Sequence, residues 1–268
     1  MTTIVSFHAH PDDESISSSG LLSMAADAGH RVVLVFATRG ELGEPVPGVL
    51  KEGEQLGLRR SAECYASAAV IGAERVEFLG YTDSGMMGEA ANDAPWCFWQ
   101  AQVDQAAARL AAILHEEKPD VLTIYDDHGN YGHPDHIQVH RVGARAAEMV
   151  PVPVVVQGTM NRDLMMRAMA MAAELGVNTG SPDAEPPEFP ADFGTPESEI
   201  THMVDASGVV DRKRASMLAH ASQIGPDHFM AAMPTEAFTF VFGPEWFILS
   251  GDLPDQVPAV FSDFFAPL

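Results

Sequence analysis

The sequence predicts an α/β protein with a Rossmann-like, open and mostly parallel sheet and helices on both faces. Short apolar runs alternate with longer segments of helical spacing up to about residue 157. The run at 31–37 is apolar almost throughout, which is typical of a strand covered on both faces. Loops rich in acids, histidine or glycine follow several of these runs. Because ligands bind at the carboxyl ends of strands in such sheets, we expect the functional site at that edge.

The first 157 residues are predicted to contain five strands and four helices. The strands are expected at 3–8, 31–37, 75–79, 120–125 and 152–157. The helices are expected at 17–28, 55–70, 99–117 and 137–149. Gly29 supports the first helix boundary, since glycine readily takes the left-handed conformation that follows a helix end.

The second part of the chain has a less regular pattern. We expect a Met-rich helix at 160–175, a proline-rich loop or lid at about 176–199, a strand at 200–204, a helix at 209–221 and a strand at 238–242. The methionines at 160, 165, 166, 169 and 171 follow helical spacing and are expected in the core rather than at a binding surface. Without a repeat or a clean boundary, residues 1–268 are predicted to form one domain.

Charge and cysteine content exclude several classes of function. The chain has 15 Lys+Arg and 38 Asp+Glu, a formal net charge of -23. Nucleic acids and anionic membranes require positive charge on the protein, so neither is expected as a partner. Cys64 and Cys97 form neither a disulfide framework nor a CxxC pair. With no basic leader and no long apolar run, we expect a cytoplasmic protein, and the sequence leaves homo-oligomerisation open. No GxGxxG follows a predicted strand, which disfavours a dinucleotide enzyme.

Two clusters of ionisable residues follow the first and fourth predicted strands. Residues 8–14 read His-Ala-His-Pro-Asp-Asp-Glu, and residues 131–136 read Tyr-Gly-His-Pro-Asp-His. Clustered carboxylates raise each other's pKa, so such a cluster is costly to fold unless a cation or a substrate compensates it. Each cluster contains His-Pro-Asp, and proline can hold the first turn of a helix rigidly. We interpret the two clusters as halves of one metal site.

The residue types in these clusters suit a catalytic zinc ion, which commonly has three protein ligands and one position for water. His10, Asp13 and His136 can supply the ligands. Asp12 is then placed to act as general base for a water that attacks a carbonyl. His133 and Tyr131 are candidates to stabilise the oxyanion or to protonate a leaving amine. Fe(II) is the alternative metal, because these ligand types do not separate it from zinc.

The two segments together resemble the zinc-dependent N-deacetylases of the LmbE-like, PIG-L type, which include the mycothiol-pathway deacetylase and the mycothiol S-conjugate amidase. The likeness covers the first 150 residues and depends on both segments in this order. It implies zinc on His10, Asp13 and His136, and catalytic roles for Asp12, Tyr131, His133 and Asp135.

Four further residues resemble the family's substrate-binding positions: Glu44, Arg60, Asp83 and His220. Charged groups suit hydroxyl recognition because they form strong hydrogen bonds. A surface arginine explains Arg60 equally well, since Arg59 offers the same chemistry, and a helix-surface histidine explains His220.

An insert at 92–99 departs from the family pattern and contains three large aromatic residues, Trp96, Phe98 and Trp99. These side chains could stack on a sugar, but burial in the core is the favoured interpretation because each hides a large area.

Three hypotheses for function follow. The first is a zinc hydrolase that removes an N-acyl group, acetyl by expectation, from an amino-sugar conjugate such as an N-acetylglucosaminyl compound. The second is a mycothiol S-conjugate amidase, although Gly132 before His133 favours the deacetylase branch. The third is a metal-holding binding protein without turnover.

Overall fold

The computed structural model describes residues 1–174 and 193–268, and the strands in these residues form one mixed sheet. The strands are β1 (Thr3–His8), β2 (Arg31–Phe36), β3 (Arg75–Phe78), β4 (Val121–Tyr125), β5 (Val154–Thr159), β6 (His202–Asp205), β7 (Pro244–Ser250) and β8 (Ala266–Pro267). Their order in the sheet is β3-β2-β1-β4-β5-β7-β6-β8. The first five pair in parallel, whereas β6, β7 and β8 pair antiparallel and extend the same sheet.

Helices connect and cover these strands. They are α1 (Asp13–Ser17), α2 (Ser19–Asp27), α3 (Leu56–Ile71), α4 (Val103–Glu117), α5 (Gly129–Gly132), α6 (Pro134–Met149), α7 (Arg162–Glu174), α8 (Val210–Ala219), α9 (Phe229–Ala232), α10 (Thr235–Phe242) and α11 (Ala259–Phe264). None of the helices in the described part of the chain is long and apolar enough to cross a membrane.

Both faces of the sheet are covered, as the continuous apolar character of β2 predicts. Val33 and Val35 point to one face, where they belong to the same core as Leu110 of α4 and Val142 of α6. The alternate residues of β2 point to the other face and pack with α2, α3 and α11. Successive side chains of a strand point to opposite faces, so a strand that is apolar at every position requires two cores. The predicted fold class is confirmed.

The predicted element boundaries are mostly close to those observed, with one clear error. The strand expected at 238–242 is wrong, because these residues belong to helix α10, and the strand is the following segment, β7. The run Phe-Thr-Phe-Val-Phe has high strand propensity, but Phe238 is fully buried in a small core beside α8 while Phe240 is 46 % exposed. Tertiary packing of one helix face therefore overrides local preference here.

The loop or lid expected at about 176–199 falls largely outside the described residues. Its last part is described and includes a short 3-10 helix at Glu197–Glu199. The helix expected at 160–175 is confirmed as α7.

The strand order places the loops after β1 and β4 side by side. Strand β1 pairs in parallel with β2 on one side and with β4 on the other. The connections from β1 and β4 therefore leave towards opposite halves of the sheet, which opens a crevice at their carboxyl ends. The two ionisable segments of the sequence begin at this crevice.

Candidate metal centre and catalytic site

The loop after β1 holds Asp12 in an unusual backbone conformation. Asp12 has φ 95°, in the left-handed region, immediately before helix α1 begins at Asp13. Such a conformation costs on the order of 1–3 kcal/mol for a residue with a side chain, so neighbouring bonds must hold it. The Asp12 amide donates to Glu14 Oε2 at 3.0 Å, and the His10 amide donates to Asp13 Oδ2 at 2.8 Å. The segment is thereby folded back on itself with both aspartates beside the crevice.

The loop after β4 ends in a capped helix start. His133 is the N-cap of α6, and its Nδ1 accepts a hydrogen bond from the Asp135 amide at 3.1 Å. Pro134 follows at the first helical position, as its fixed φ favours. The prediction of a proline at a helix start is confirmed here, whereas Pro11 lies two residues before α1. His136 consequently sits in the first turn of α6, facing the loop after β1.

The three predicted metal ligands lie together. Asp13 Oδ2 is 3.5 Å from His10 Nδ1, and Asp13 Oδ1 is 3.4 Å from His136 Nε2. The rings of His10 and His136 have centroids 5.4 Å apart. All three residues are largely buried, with exposed side-chain fractions of 8 %, 13 % and 3 % for His10, Asp13 and His136.

The donors present fit a divalent transition metal. Ring nitrogens of His10, His133 and His136 lie within 4.8 Å of one another, so a three-histidine set competes with the predicted triad. The nitrogen of His136 that faces Asp13 is Nε2, and the other ring nitrogen, Nδ1, is buried without a hydrogen-bond partner among the described residues. Imidazole and carboxylate together are typical ligands of zinc and Fe(II).

Asp12 is held by Arg60, from the second turn of α3. Arg60 Nη2 lies 3.2 Å from Asp12 Oδ2, and the same guanidinium donates to the carbonyls of Pro11 and Gly40. Burial raises the pKa of Asp12, and the charge of Arg60 offsets part of that rise. A carboxylate with a raised pKa is a stronger base than an ordinary aspartate, which suits a proton acceptor beside a metal centre.

His133 and Tyr131 offer hydrogen-bond donors at the same place. Burial, together with the nearby His10 and His136, lowers the pKa of His133 to about 2, so its ring is neutral. Since Nδ1 accepts from the Asp135 amide, the proton of the neutral ring is assigned to Nε2. Burial raises the pKa of Tyr131, whose hydroxyl lies 3.3 Å from His136 Nε2.

Asp135 and Asp83 both contact His10. Asp135 Oδ2 is 3.1 Å from His10 Nε2 and also accepts the Ser84 amide at 3.0 Å, and the Ser84 hydroxyl donates to the other oxygen. Asp83 Oδ1 is 3.6 Å from the same His10 nitrogen and accepts the Gly85 amide at 2.9 Å. Asp135 is completely buried, so its geometry suits orientation of His10 more than contact with a substrate. Ser84 was not among the predicted site residues, although it directly follows Asp83 in the loop after β3.

The remaining predicted substrate-binding residues lie in different surroundings. Glu44 is exposed in the loop after β2. His220 is completely buried, and its Nε2 lies 2.6 Å from Glu14 Oε1. His220 therefore contacts the back of the β1 loop rather than the open crevice, and the same is true of Arg60, which is 4 % exposed. Because Arg60 and His220 are both buried, the alternative interpretation of each as a residue on a helix surface is wrong.

Glu14 links His220 to Asp12, a connection that the sequence did not reveal. One carboxylate oxygen accepts from His220 and from Ser67, and the other accepts the Asp12 amide. Burial alone would raise the pKa of Glu14, but His220 and Ser67 lower it to about 2. The ionised carboxylate is thus a buried anchor for the left-handed Asp12 backbone.

The expected burial of the large apolar residues holds only in part. Phe98 is fully buried, whereas Trp96 is 66 % exposed, so the expectation of core packing is wrong for Trp96. Trp99 is half-buried beneath the guanidinium of Arg141.

The core position expected for the five methionines is also wrong. None of them is among the buried residues, Met166 and Met171 are 55 % and 53 % exposed, and Met160 and Met165 line a cavity beside the metal centre.

A cavity of about 450 Å³ opens beside the metal centre. Asp12, Asp13, Tyr131 and His136 line one end of it. Its other walls come from β5, α7, α9, α10 and the start of β7 and include Met160, Leu164, Met165, Ala168, Phe240 and Trp246. The base and two of the predicted metal ligands therefore face a space large enough for a small-molecule substrate.

An α/β sheet with imidazoles and carboxylates converging at its topological switch point defines a candidate metal-dependent enzyme. The family model for "GlcNAc-PI de-N-acetylase" (PIG-L) matches residues 5–147, which include both ionisable segments. The chain belongs to this family, and it is accordingly a hydrolase that removes N-acyl groups.

Two relatives carry the same printed name, 1D-myo-inositol 2-acetamido-2-deoxy-alpha-D-glucopyranoside deacetylase. The protein from Acidothermus cellulolyticus is 39 % identical over 253 residues, covering 90 % of this chain and 86 % of its own. The protein from Thermobifida fusca is 38 % identical over 265 residues, covering 89 % and 92 %. The solved structure of N,N'-diacetylchitobiose deacetylase from Pyrococcus horikoshii superposes with a TM-score of 0.62 at 20 % identity, covering 95 % of this chain and 88 % of its own, and so shares the fold.

Proposed function

We propose that this protein is a metal-dependent N-deacetylase of N-acetylglucosaminyl conjugates, with 1D-myo-inositol 2-acetamido-2-deoxy-α-D-glucopyranoside as the first substrate to test. The observation that carries the proposal is the convergence of Asp12 with His10, Asp13 and His136 at one end of an open cavity. The printed names of the two relatives support the choice of substrate.

His10, Asp13 and His136 would hold the metal, with zinc favoured and Fe(II) as the alternative. A divalent cation held there would supply Lewis acidity, which polarises an amide carbonyl and lowers the pKa of bound water. The chain's own residues supply the rest of the reaction. Asp12 accepts a proton from the attacking water as the new C–O bond forms, and Arg60 keeps its carboxylate directed towards the cavity.

His133 and Tyr131 stabilise the negative charge that develops on the carbonyl oxygen. The Nε2–H of neutral His133 and the hydroxyl of Tyr131 are both donors, and donors aimed at a developing oxyanion contribute strongly to catalysis. As the C–N bond breaks, the proton taken by Asp12 passes to the leaving amine. The products are then the free amine of the sugar and acetate.

Glu44 is proposed to bind a sugar hydroxyl directly. Asp83, predicted for the same role, is only 5 % exposed and accepts amides of Gly85 and Leu42 on its two oxygens, so it is proposed to hold the loops on that side of the site in place. Asp83 lies in the loop after β3, beside His10, and Glu44 is exposed in the loop after β2. Both loops leave the sheet on the β2–β3 side of the metal centre. Arg60 and His220, first expected to contact substrate, are proposed to position the β1 loop instead.

The test compares wild type with Asp12→Asn and with Asp127→Asn, an aspartate in the neighbouring loop whose side chain is 82 % exposed. Each protein is loaded with zinc, its metal content is measured, and amine release from the acetylated glucosaminyl-inositol is followed. Wild type and Asp127→Asn should release amine, whereas Asp12→Asn should retain the metal and lose at least roughly a hundredfold in rate, since general-base catalysis contributes about 10²–10⁴-fold.

Two other hypotheses predict different results in this assay. A mycothiol S-conjugate amidase would cleave a bulky thioether conjugate faster than the acetylated sugar. A metal-holding protein without turnover would bind zinc and release no amine from either compound, with no difference between wild type and Asp12→Asn. Cytoplasmic location, self-association and the exclusion of nucleic-acid and membrane partners stay predictions from the sequence.

A further inference from the structure

We infer that the apolar cavity beside the metal centre binds the acyl group of the substrate, and that the preferred acyl chain is longer than acetyl. The inference rests on the proposed N-deacylase function and specifies which amide this chain cleaves best. It is carried by the position, the lining and the size of the cavity.

The cavity walls beyond the metal centre are mostly apolar among the described residues. Helix α7 contributes Leu164, Met165 and Ala168, and α10 and β7 contribute Phe240 and Trp246. A sugar or a polyol needs several free donors and acceptors, because buried polar groups must be hydrogen-bonded. An alkyl chain needs none, and it gains free energy from leaving water.

Most polar side chains in these walls already have partners. Thr159 donates to Asp126 at 2.6 Å, and Ser17 donates to the Asp13 carbonyl at 2.7 Å. Glu245 accepts from Lys213 and from two amides at the start of α2.

Asn161 differs from these residues in having one free donor. Its Oδ1 accepts the Leu164 amide, and its Nδ2 is buried without a partner among the described residues. One free donor is too few to recognise a polyhydroxylated ring, so these walls do not suit a sugar.

The polar and apolar sides of the crevice lie on opposite sides of the metal centre. The loops after β2 and β3, with Glu44 and Asp83, lie towards one edge of the sheet, whereas the cavity lies under α7 beyond β4 and β5. A trans amide also places its two substituents on opposite sides of the C–N bond. The sugar is attached to the nitrogen, and the alkyl chain of the acyl group is attached to the carbonyl carbon. If the sugar lies towards the polar loops, the alkyl chain of the acyl group extends into the apolar cavity.

The cavity is much larger than an acetyl group requires. Its volume of about 450 Å³ is within the range of pockets that bury most of a drug-sized ligand. Acetyl places a single methyl group there. Each added methylene that the cavity buries should raise kcat/KM about fourfold, the factor that corresponds to about 0.8 kcal/mol per CH₂.

The test measures kcat/KM for methyl glucosaminides acylated with acetyl, butanoyl, hexanoyl and octanoyl groups. Wild type is compared with Ala168→Trp, which narrows the cavity, and with Ala170→Trp, a matched change at an exposed position of the same helix that does not line it. We expect kcat/KM to rise at least tenfold from acetyl to hexanoyl in wild type and in Ala170→Trp. In Ala168→Trp this rise should be lost.

Three outcomes would overturn the inference. One is a fall in kcat/KM from acetyl to butanoyl in wild type. Another is the same chain-length dependence in Ala168→Trp and Ala170→Trp. The third is a flat response to acyl length combined with faster cleavage of N-acetylglucosaminides that carry long alkyl aglycones, because the cavity would then serve the amine side. Failure of the proposed function is distinguishable from all three, since no N-acyl glucosaminide of any length would be cleaved.

Discussion

The guanidinium of Arg60 lies 3.2 Å from the carboxylate of Asp12 and also donates to the backbone carbonyl of the preceding residue, Pro11. The Arg60 side chain thus binds both the carboxylate of the proposed base and the backbone carbonyl that precedes this residue. Gly40, in the loop after β2, accepts a further hydrogen bond from the same group at 2.8 Å. Three segments distant in sequence are joined at this point, and the direction of the Asp12 carboxylate depends on it.

Replacement of Arg60 by alanine should lower kcat on the order of a hundredfold, because misplacing a reacting group by about 1 Å costs roughly that factor. Arg60→Lys should recover only part of the rate, since one ammonium cannot make the several directed bonds of the guanidinium. Arg59→Ala is the matched control, because Arg59 pairs with Glu54 away from the site and should change kcat less than about twofold. Equal losses in Arg59→Ala and Arg60→Ala, measured by amine release, would contradict this role.

Loss of either predicted histidine ligand should remove the metal. His10→Ala and His136→Ala should retain less than about a tenth of the metal of wild type after dialysis, since the site then lacks one of three protein ligands. His128→Ala serves as the control because His128 pairs with Asp127 outside the cluster. Metal content is measured by elemental analysis, and a stoichiometric ion in His136→Ala would show that the assignment is wrong.

Asp13 and His133 are alternative candidates for the third metal ligand beside His10 and His136. Variants of these two residues distinguish the two possible ligand sets. If His10, Asp13 and His136 bind the ion, Asp13→Asn should lose metal, while His133→Ala should keep it and lose about 10²–10³-fold in kcat, as expected for removal of one oxyanion donor. The three-histidine set predicts the reverse pattern of metal content. Metal analysis beside single-turnover rates decides between them.

The buried pair of His220 and Glu14 should make stability depend on pH. Burial opposes the charged form of His220, but the adjacent Glu14 raises the pKa of His220 above its usual value of 6.5. A group with a raised folded-state pKa stabilises the protein fully below its unfolded-state pKa, and that contribution is lost as the pH rises through the folded-state value. The pair should therefore contribute more at about pH 6 than at about pH 9.

The measurement is the free energy of urea unfolding of wild type and His220→Gln at both pH values. The variant should lose roughly 3–5 kcal/mol at the lower pH, the range found when one partner of a buried pair is removed, and less at the higher pH. His115→Gln, near the end of α4, is a suitable control for replacing a histidine elsewhere. A loss for His220→Gln that does not change with pH would contradict a charged pair.

Individual residues show where sequence reasoning succeeds and where it stops. Pro134 in a His-Pro-Asp segment predicted a helix start, and α6 begins there. Phe238 lies in a run that predicted a strand, but it forms part of a helix because only one face of that run is buried. Arg59 and Arg60 are indistinguishable in the sequence, yet adjacent helix positions point about 100° apart, so only the packing of α3 decides which one meets Asp12.

The sequence by itself determined the alternation of strands and helices in the first 157 residues and the two segments that carry the ionisable groups. It could do so because the spacing of apolar residues and the fixed backbone angle of proline determine structure over only a few residues. Only the tertiary structure decided which groups meet. His10 and Asp135 are in contact although 125 residues separate them, and Glu14 reaches His220 across 206 residues. Such contacts depend on how whole strands pair and helices pack, a property that no local pattern contains.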